Sequence, residues 1–160
     1  MRIARLVSGG QAGVDRAALD AAIALGRSYG GWCPAGGWAE DLVEPPGLLA
    51  RYPGLREATS SDPFERTWLN VRDSHATLVL RGASTASPGT GRTIEEAIRL
   101  GRPYVVTEAD ARASSDDVFA WLGSLGQELT LNVAGPRESE QPGVYRAARA
   151  LLDEVLRADR

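Results

Sequence analysis

Short apolar runs alternate along the chain with stretches of helical period. Ile3–Val7 reads as a buried strand that breaks at Ser8-Gly9-Gly10. Val14, Ala17, Ala18, Ala21, Ala22 and Leu25 then recur at i, i+3, i+4, i+7, i+8 and i+11. That is one apolar stripe on a helix, with Asp15, Arg16 and Asp20 off it and Gly26 closing it. Residues 29–33 read as a second strand stopped by Pro34. Residues 34–61 are rich in Gly, Pro and acid and carry little period, so they read as an irregular excursion with a short strand near 55–58. Asp62-Pro63 opens a helix that runs to about Asp73, with Asp as N-cap and Pro as first helical residue. A strand is expected at 76–80, a Gly/Ser/Thr loop over 81–91, and a helix marked by Ile94, Ala97, Ile98 and Gly101. Strands at 104–107 and 129–133 flank a helix at 116–125. A last helix over 143–157 carries Val144, Ala148, Leu151, Leu152 and Val155 on one face.

Strand and helix alternating in this way imply an α/β protein: a mostly parallel sheet covered on both faces by helices. With 160 residues the chain has the size of a single domain. Ligands of such sheets bind beyond the carboxyl ends of the strands. Three of the four clearest strands end there in loops of unusual composition.

Composition narrows the chemistry. The chain has 18 basic and 21 acidic residues, a net charge of -3, whereas a phosphate-tracking nucleic-acid binder usually carries the opposite sign. All 18 basic residues are Arg, so Schiff-base chemistry and a Walker A lysine are excluded. One Cys and one His, Cys33 and His75, exclude disulfides, Cys/His zinc clusters and two-histidine motifs. No metal site is expected, nor any required cofactor. The longest apolar stretches fall short of the roughly 20 residues a spanning helix needs. The first residues lack the apolar core of a signal peptide. The expectation is a cytoplasmic protein with no membrane or nucleic-acid partner.

Three loops could carry chemistry. Ser8-Gly9-Gly10-Gln11-Ala12-Gly13-Val14-Asp15 joins a strand to a helix; glycines let a ligand approach the backbone, and free N–H groups at a helix start attract an anion. The spacing nearly matches a dinucleotide fingerprint with Ser8 for the first glycine. Cys33-Pro34 stands where that fingerprint needs an acid, which disfavours a standard NAD mode. A tight turn without ligand is the plainer alternative. Ser87-Pro88-Gly89-Thr90-Gly91-Arg92-Thr93-Ile94-Glu95-Glu96 follows the same logic, with the hydroxyls of Thr90 and Thr93 beside backbone N–H groups. Glu95 and Glu96 in the first turn suit the helix dipole, and one of them could point into the cleft. In the third loop, Asn132-Val133-Ala134-Gly135-Pro136-Arg137-Glu138-Ser139, Arg137 and Ser139 lie just past a strand end, with a surface turn as the plainer alternative. Arg66, Asn70 and Asp73 share a helix face, and Arg66 lies near enough to the helix start to reach the same cleft. His75 and Cys33 read as structural, and Trp38 as a ring-stacking candidate.

Taken together these residues resemble a known family. Ser8-Gly9-Gly10-Gln11-Ala12-Gly13-Val14-Asp15-Arg16-Ala17-Ala18 is similar to the opening motif of the circularly permuted YpsA-like family of the SLOG superfamily, also called molybdenum-cofactor carriers. Gly30-Gly31-Trp32-Cys33-Pro34, Ala39-Glu40-Asp41, Arg66-Thr67, Asn70-Val71-Arg72-Asp73-Ser74 and Asn132-Val133-Ala134-Gly135-Pro136-Arg137 follow in the family's order. The chain departs from it at Ala12, where a Thr is usual, at Ala35-Gly36-Gly37, where a basic stretch is usual, and at His75, where an acid is usual. The resemblance implies a Rossmann-like three-layer α/β/α fold. More distantly, Glu65-Arg66-Thr67 and Pro88-Gly89-Thr90-Gly91-Arg92-Thr93-Ile94-Glu95-Glu96 resemble the arginine helix and glycine loop of the LONELY GUY phosphoribohydrolases, with Thr90 and Arg92 where glycines are expected.

The resulting expectation is a small-molecule binding protein. It would hold a phosphate-bearing ligand, a nucleotide or molybdenum cofactor, through Ser8, Gly9, Gly10, Gln11, Gly13, Gly89, Thr90, Thr93, Gly135 and Arg137, with Arg66 adding charge. The alternative is a hydrolase that cleaves the N-glycosidic bond of a nucleoside 5′-monophosphate, in which the resemblance puts Arg66 and Glu96 at the catalytic positions. Ala-rich helical faces and tryptophans suggest a homo-oligomer, a dimer or tetramer. All of this requires distant stretches to meet on one rim as an electropositive pocket.

Overall fold

The computed structural model describes residues 2–82, 87–109, 113–126 and 128–160. Its elements are β1 (Ile3–Val7), α1 (Val14–Ala24), β2 (Tyr29–Gly30), β3 (Trp32–Cys33), α2 (Leu48–Arg51), β4 (Arg56–Glu57), α3 (Pro63–Arg72), β5 (Ala76–Arg81), α4 (Pro88–Arg99), β6 (Tyr104–Glu108), α5 (Ala113–Ser124), β7 (Leu129–Ala134) and α6 (Val144–Ala158). Five strands form one sheet in the order β2-β1-β7-β5-β6, and every adjacent pair is parallel. The three-layer Rossmann-like expectation holds.

Strand alternation sorts the layers. Leu6, Leu78, Leu80, Leu131 and Val133 point to one face and pack against α1, α5 and α6. The Ala17, Ala18, Ala21 and Ala22 stripe of α1 is fully buried in this core, and its small side chains let α6 approach closely. That alanine face is packed within the chain. On the other face, toward α3 and α4, Thr77, Val79 and Asn132 are buried, and Asn132 Nδ2 donates to Thr77 Oγ1 at 3.3 Å. No helix of the described residues is long and apolar enough to cross a membrane.

Two of the boundaries that differ from the expectation shape the site. The strand expected over 29–33 breaks at Gly31, whose φ is +125°. A Cβ there would lie 2.2 Å from the Ser8 carbonyl oxygen, so the chain can turn at this point only because the residue is glycine. Beyond it β3 pairs with β4 in a separate two-stranded sheet. Helix α4 begins at Pro88, six residues before the first apolar position that marked it. Ser87 is its N-cap, accepting from the Thr90 N–H, and Pro88 follows at the first helical position. Gly89, Thr90 and Thr93 are therefore helical and not loop residues. Residues 83–86 of the expected 81–91 loop lie outside the described residues.

Candidate functional site

The connections after β1 and β5 leave the sheet in opposite directions, toward β2 and toward β6, with β7 between them. Such a divergence opens a crevice at the carboxyl ends of the strands. Here it is a cleft of about 250 Å³.

The β1 turn supplies its floor. The Ser8 hydroxyl donates to the Asp15 carbonyl at 3.0 Å, and the Ser8 N–H to the Gly30 carbonyl at 3.1 Å. Gly10, at φ +77°, packs under Leu48 and Leu55. At Gly13 a Cβ would meet the Pro136 carbonyl oxygen at 2.4 Å, and the Val14 N–H donates to that same carbonyl at 3.3 Å. The start of α1 is thus closed by the loop after β7. Of this turn, Gln11 lines the cleft. Its Oε1 accepts from the N–H groups of Ala12 and Glu40, leaving Nε2 with no partner among the described residues.

Helix α3 brings in Arg66. Its Nη1 donates to Asp15 Oδ2 at 2.9 Å, while its buried Nε has no partner among the described residues. The guanidinium lies over Gly9, where a Cβ would sit 1.8 Å from Nη1. Asp15 is 4% exposed. Burial pushes its carboxyl above the ordinary aspartate range, against the opposing pull of Arg66 and of the Gln11 and Gly135 backbone.

Helix α4 adds Ser87, Pro88, Gly89 and Thr93 at its N-terminus. The Ser87 hydroxyl donates to Glu140 at 3.2 Å, and that of Thr93 to the Gly89 carbonyl at 3.1 Å. After β7 come Gly135, Arg137 and Glu140. A Cβ on Gly135 would lie 2.1 Å from the Leu80 carbonyl oxygen, so only glycine fits between β5 and α1. Arg137 pairs with Glu140 at 3.2 Å and with Glu40 at 3.4 Å. Trp38 and Phe64 complete the wall with aromatic rings.

Of the residues expected at the site, Gln11, Arg66, Gly89, Thr93, Gly135 and Arg137 line this one cleft, whereas Ser8, Gly9, Gly10, Gly13, Thr90 and Glu96 do not. Glu96 is 1% exposed and held on its own helix, with Arg92 Nε at 3.1 Å and Arg99 Nη1 at 3.7 Å. The stretches do meet on one rim, but the pocket is not simply electropositive. Asp15 and Glu140 stand against Arg66 and Arg137 within it. The sequence hid this because Asp15 looked like a solvent-facing position off the apolar stripe of α1. Its place in the first turn, directly after a glycine turn at a strand end, is the signal that it faces the cleft.

His75 and Cys33 serve the packing of the chain. His75 Nδ1 accepts the Thr130 N–H at 2.8 Å at the far end of the sheet. Cys33 is fully buried, and burial pushes its thiol up to about 11. Among the described residues no group of three or more His, Cys, Asp or Glu could hold a metal ion.

Comparison with known proteins agrees with this architecture. A crystal structure of a protein named "Putative molybdenum carrier protein", from Syntrophus aciditrophicus SB, is 37% identical, covers 96% of this chain and 95% of its own, and superposes with a TM-score of 0.84. No curated protein matches the chain. The model of the circularly permutated YpsA SLOG family matches residues 6–156, nearly the whole chain, and the protein belongs to that family.

Proposed function

We propose that this protein binds a small molecule carrying both a phosphate and a ring, a nucleotide or molybdenum cofactor, in the cleft between β1, β5 and β7. The observation that carries this reading is the convergence of Arg66, the α4 N-terminus at Gly89 and the rings of Trp38 and Phe64 on one cavity. A guanidinium and helix N-terminal N–H groups suit phosphate, and aromatic walls suit a ring. At about 250 Å³ the cleft is slightly below the roughly 300–1,000 Å³ of ordinary ligand pockets. It would take a phosphate with a sugar or one ring system and leave the rest of the molecule at the mouth.

A molybdenum cofactor would be cargo, held by its phosphate and pterin ring. The name of the Syntrophus relative supports a carrier role of this kind. Binding without turnover fits the geometry better than glycosidic hydrolysis, because Glu96 is engaged by Arg92 away from the cleft lining.

Thermal melting with millimolar nucleoside monophosphates and pterin phosphates tests the reading. A ligand present at a hundredfold its Kd stabilises by about 2.7 kcal/mol, which raises Tm by roughly 5–10 °C at this chain length. A panel in which nothing shifts Tm overturns the proposal. Release of free base from AMP would instead establish the hydrolase.

A further inference from the structure

Helix α3 touches a second recess with its other end. In β1 the register shifts between Ile3 and Arg5, and Leu6 enters the core, so its neighbour Arg5 looks out of the opposite face, where its register partner on β7 is Thr130. Over this part of the sheet lies β3. Asn70 clamps the Trp32 backbone through the Trp32 N–H at 2.7 Å and the Trp32 carbonyl at 2.9 Å. The Trp32 indole donates to Asp73 at 2.8 Å. A recess of about 140 Å³ remains between these elements, lined by Arg5, Gly31, Trp32, Arg56, Asp73 and Thr130 among others, and it shares no lining residue with the cleft above.

The charge in this recess is unbalanced. Asp73 is already engaged through both oxygens by Arg72, at 2.7 and 3.0 Å, and by the Trp32 indole. Arg72 above all holds its carboxyl below the usual carboxylate range, with Trp32 and Arg56 adding to the effect. The guanidinium groups of Arg5 and Arg56 have no hydrogen bond or ion pair among the described residues. Arg56 lies over the Trp32 ring at 5.9 Å. Arg5 is packed over Gly30, where a Cβ would lie 2.0 Å from its Nη2. An exposed arginine in mid-strand, sharing a small recess with a second exposed arginine and with no free acid beside them, leaves two solvated guanidinium forks with no protein partner among the described residues. The Thr130 hydroxyl beside them is likewise without a partner among the described residues.

We propose that this recess is a second, separate anion site that takes a phosphate group, with Arg5 and Arg56 as its cationic forks and the Thr130 hydroxyl as a further donor. Free phosphate and the phosphoryl group of a small monoester share this chemistry, so both serve as probes.

The test follows the Trp32 indole N–H by nuclear magnetic resonance, assigned with Trp32→Phe, during titration with inorganic phosphate and, separately, phenyl phosphate at constant ionic strength. The expected result is a saturable shift of that resonance, weakened at least tenfold in Arg5→Gln and in Arg56→Gln. A stronger response to phenyl phosphate would mark a monoester site, and an equal response a free-phosphate site. A shift that stays linear with concentration, that chloride reproduces, or that survives in both Arg5→Gln and Arg56→Gln would overturn the proposal. Arg56 lies on the exposed two-residue strand β4, so its variant remains informative if Arg5→Gln does not fold.

Discussion

Arg66→Met is the most informative single change, because Arg66 is the only side chain that forms an ion pair with Asp15 among the described residues. The two side chains are 15% and 6% exposed. Removing one partner of a buried pair costs about 3–5 kcal/mol, since the remaining charge stays out of water. At this chain length each kcal/mol moves Tm by roughly 2–4 °C, so the expected drop near pH 7.5 is about 6–20 °C. The sign of the pH dependence follows from Asp15. Its folded-state pKa lies above the ordinary aspartate value of 3.8, so the native chain holds that proton more tightly than the unfolded chain. Stability is therefore lost as pH rises from about 4 through the raised folded value, and loss of Arg66 moves that value up further and widens the window. The gap between wild type and Arg66→Met should shrink as pH falls, and Asp15→Asn in the Arg66→Met background should recover much of it. Circular-dichroism melts between pH 4.5 and 8 measure this. A gap below about 2 °C at pH 7.5, or one equal at every pH, would refute the reasoning.

Three further outcomes are expected. Gly89→Ala should raise stability by about 0.5 kcal/mol at most, because the position is in the first helical turn and a Cβ meets no protein atom closer than Ser87 Oγ at 3.9 Å. Gly135→Ala should cost about 1–3 kcal/mol and weaken binding, since the opposing Leu80 carbonyl is backbone that cannot step aside; urea unfolding measures both glycine variants. Asp159→Ala should cost about 3 kcal/mol in urea unfolding with an unchanged m-value, because its carboxylate accepts from the Arg2 and Ile3 N–H groups at 2.6 and 2.9 Å and so fastens the end of α6 to the start of β1.

Local pattern carried most of the fold. Ile3–Val7 is the strand its apolar run predicts, and Asp62-Pro63 starts α3 as N-cap and first helical residue. The same grammar in Ser87-Pro88 was obscured by the glycines and threonines behind it, which delayed the start of α4 to the first apolar residue. The break at Gly31 depends on how closely Ser8 approaches, a tertiary fact with no local sign. At the site, strand ends and helix starts located the rim, and arginine chemistry picked out Arg66 and Arg137. Their acid partners were hidden, because Asp15 and Glu140 meet them only through the sheet order. Glycine content was a mixed guide. Gly89 and Gly135 line the cleft, while Gly10 and Gly13 serve the packing of the chain against itself.

Calorimetric titration of nucleoside monophosphates and pterin phosphates into wild type, Arg66→Met and Arg5→Gln tests the central claim most directly. For at least one of them the expected result is a saturable binding event whose affinity falls at least tenfold in Arg66→Met and holds in Arg5→Gln, whatever the recess at Arg5 and Arg56 takes up. Heat of binding that is absent for every compound, or present and indifferent to Arg66→Met, would contradict it.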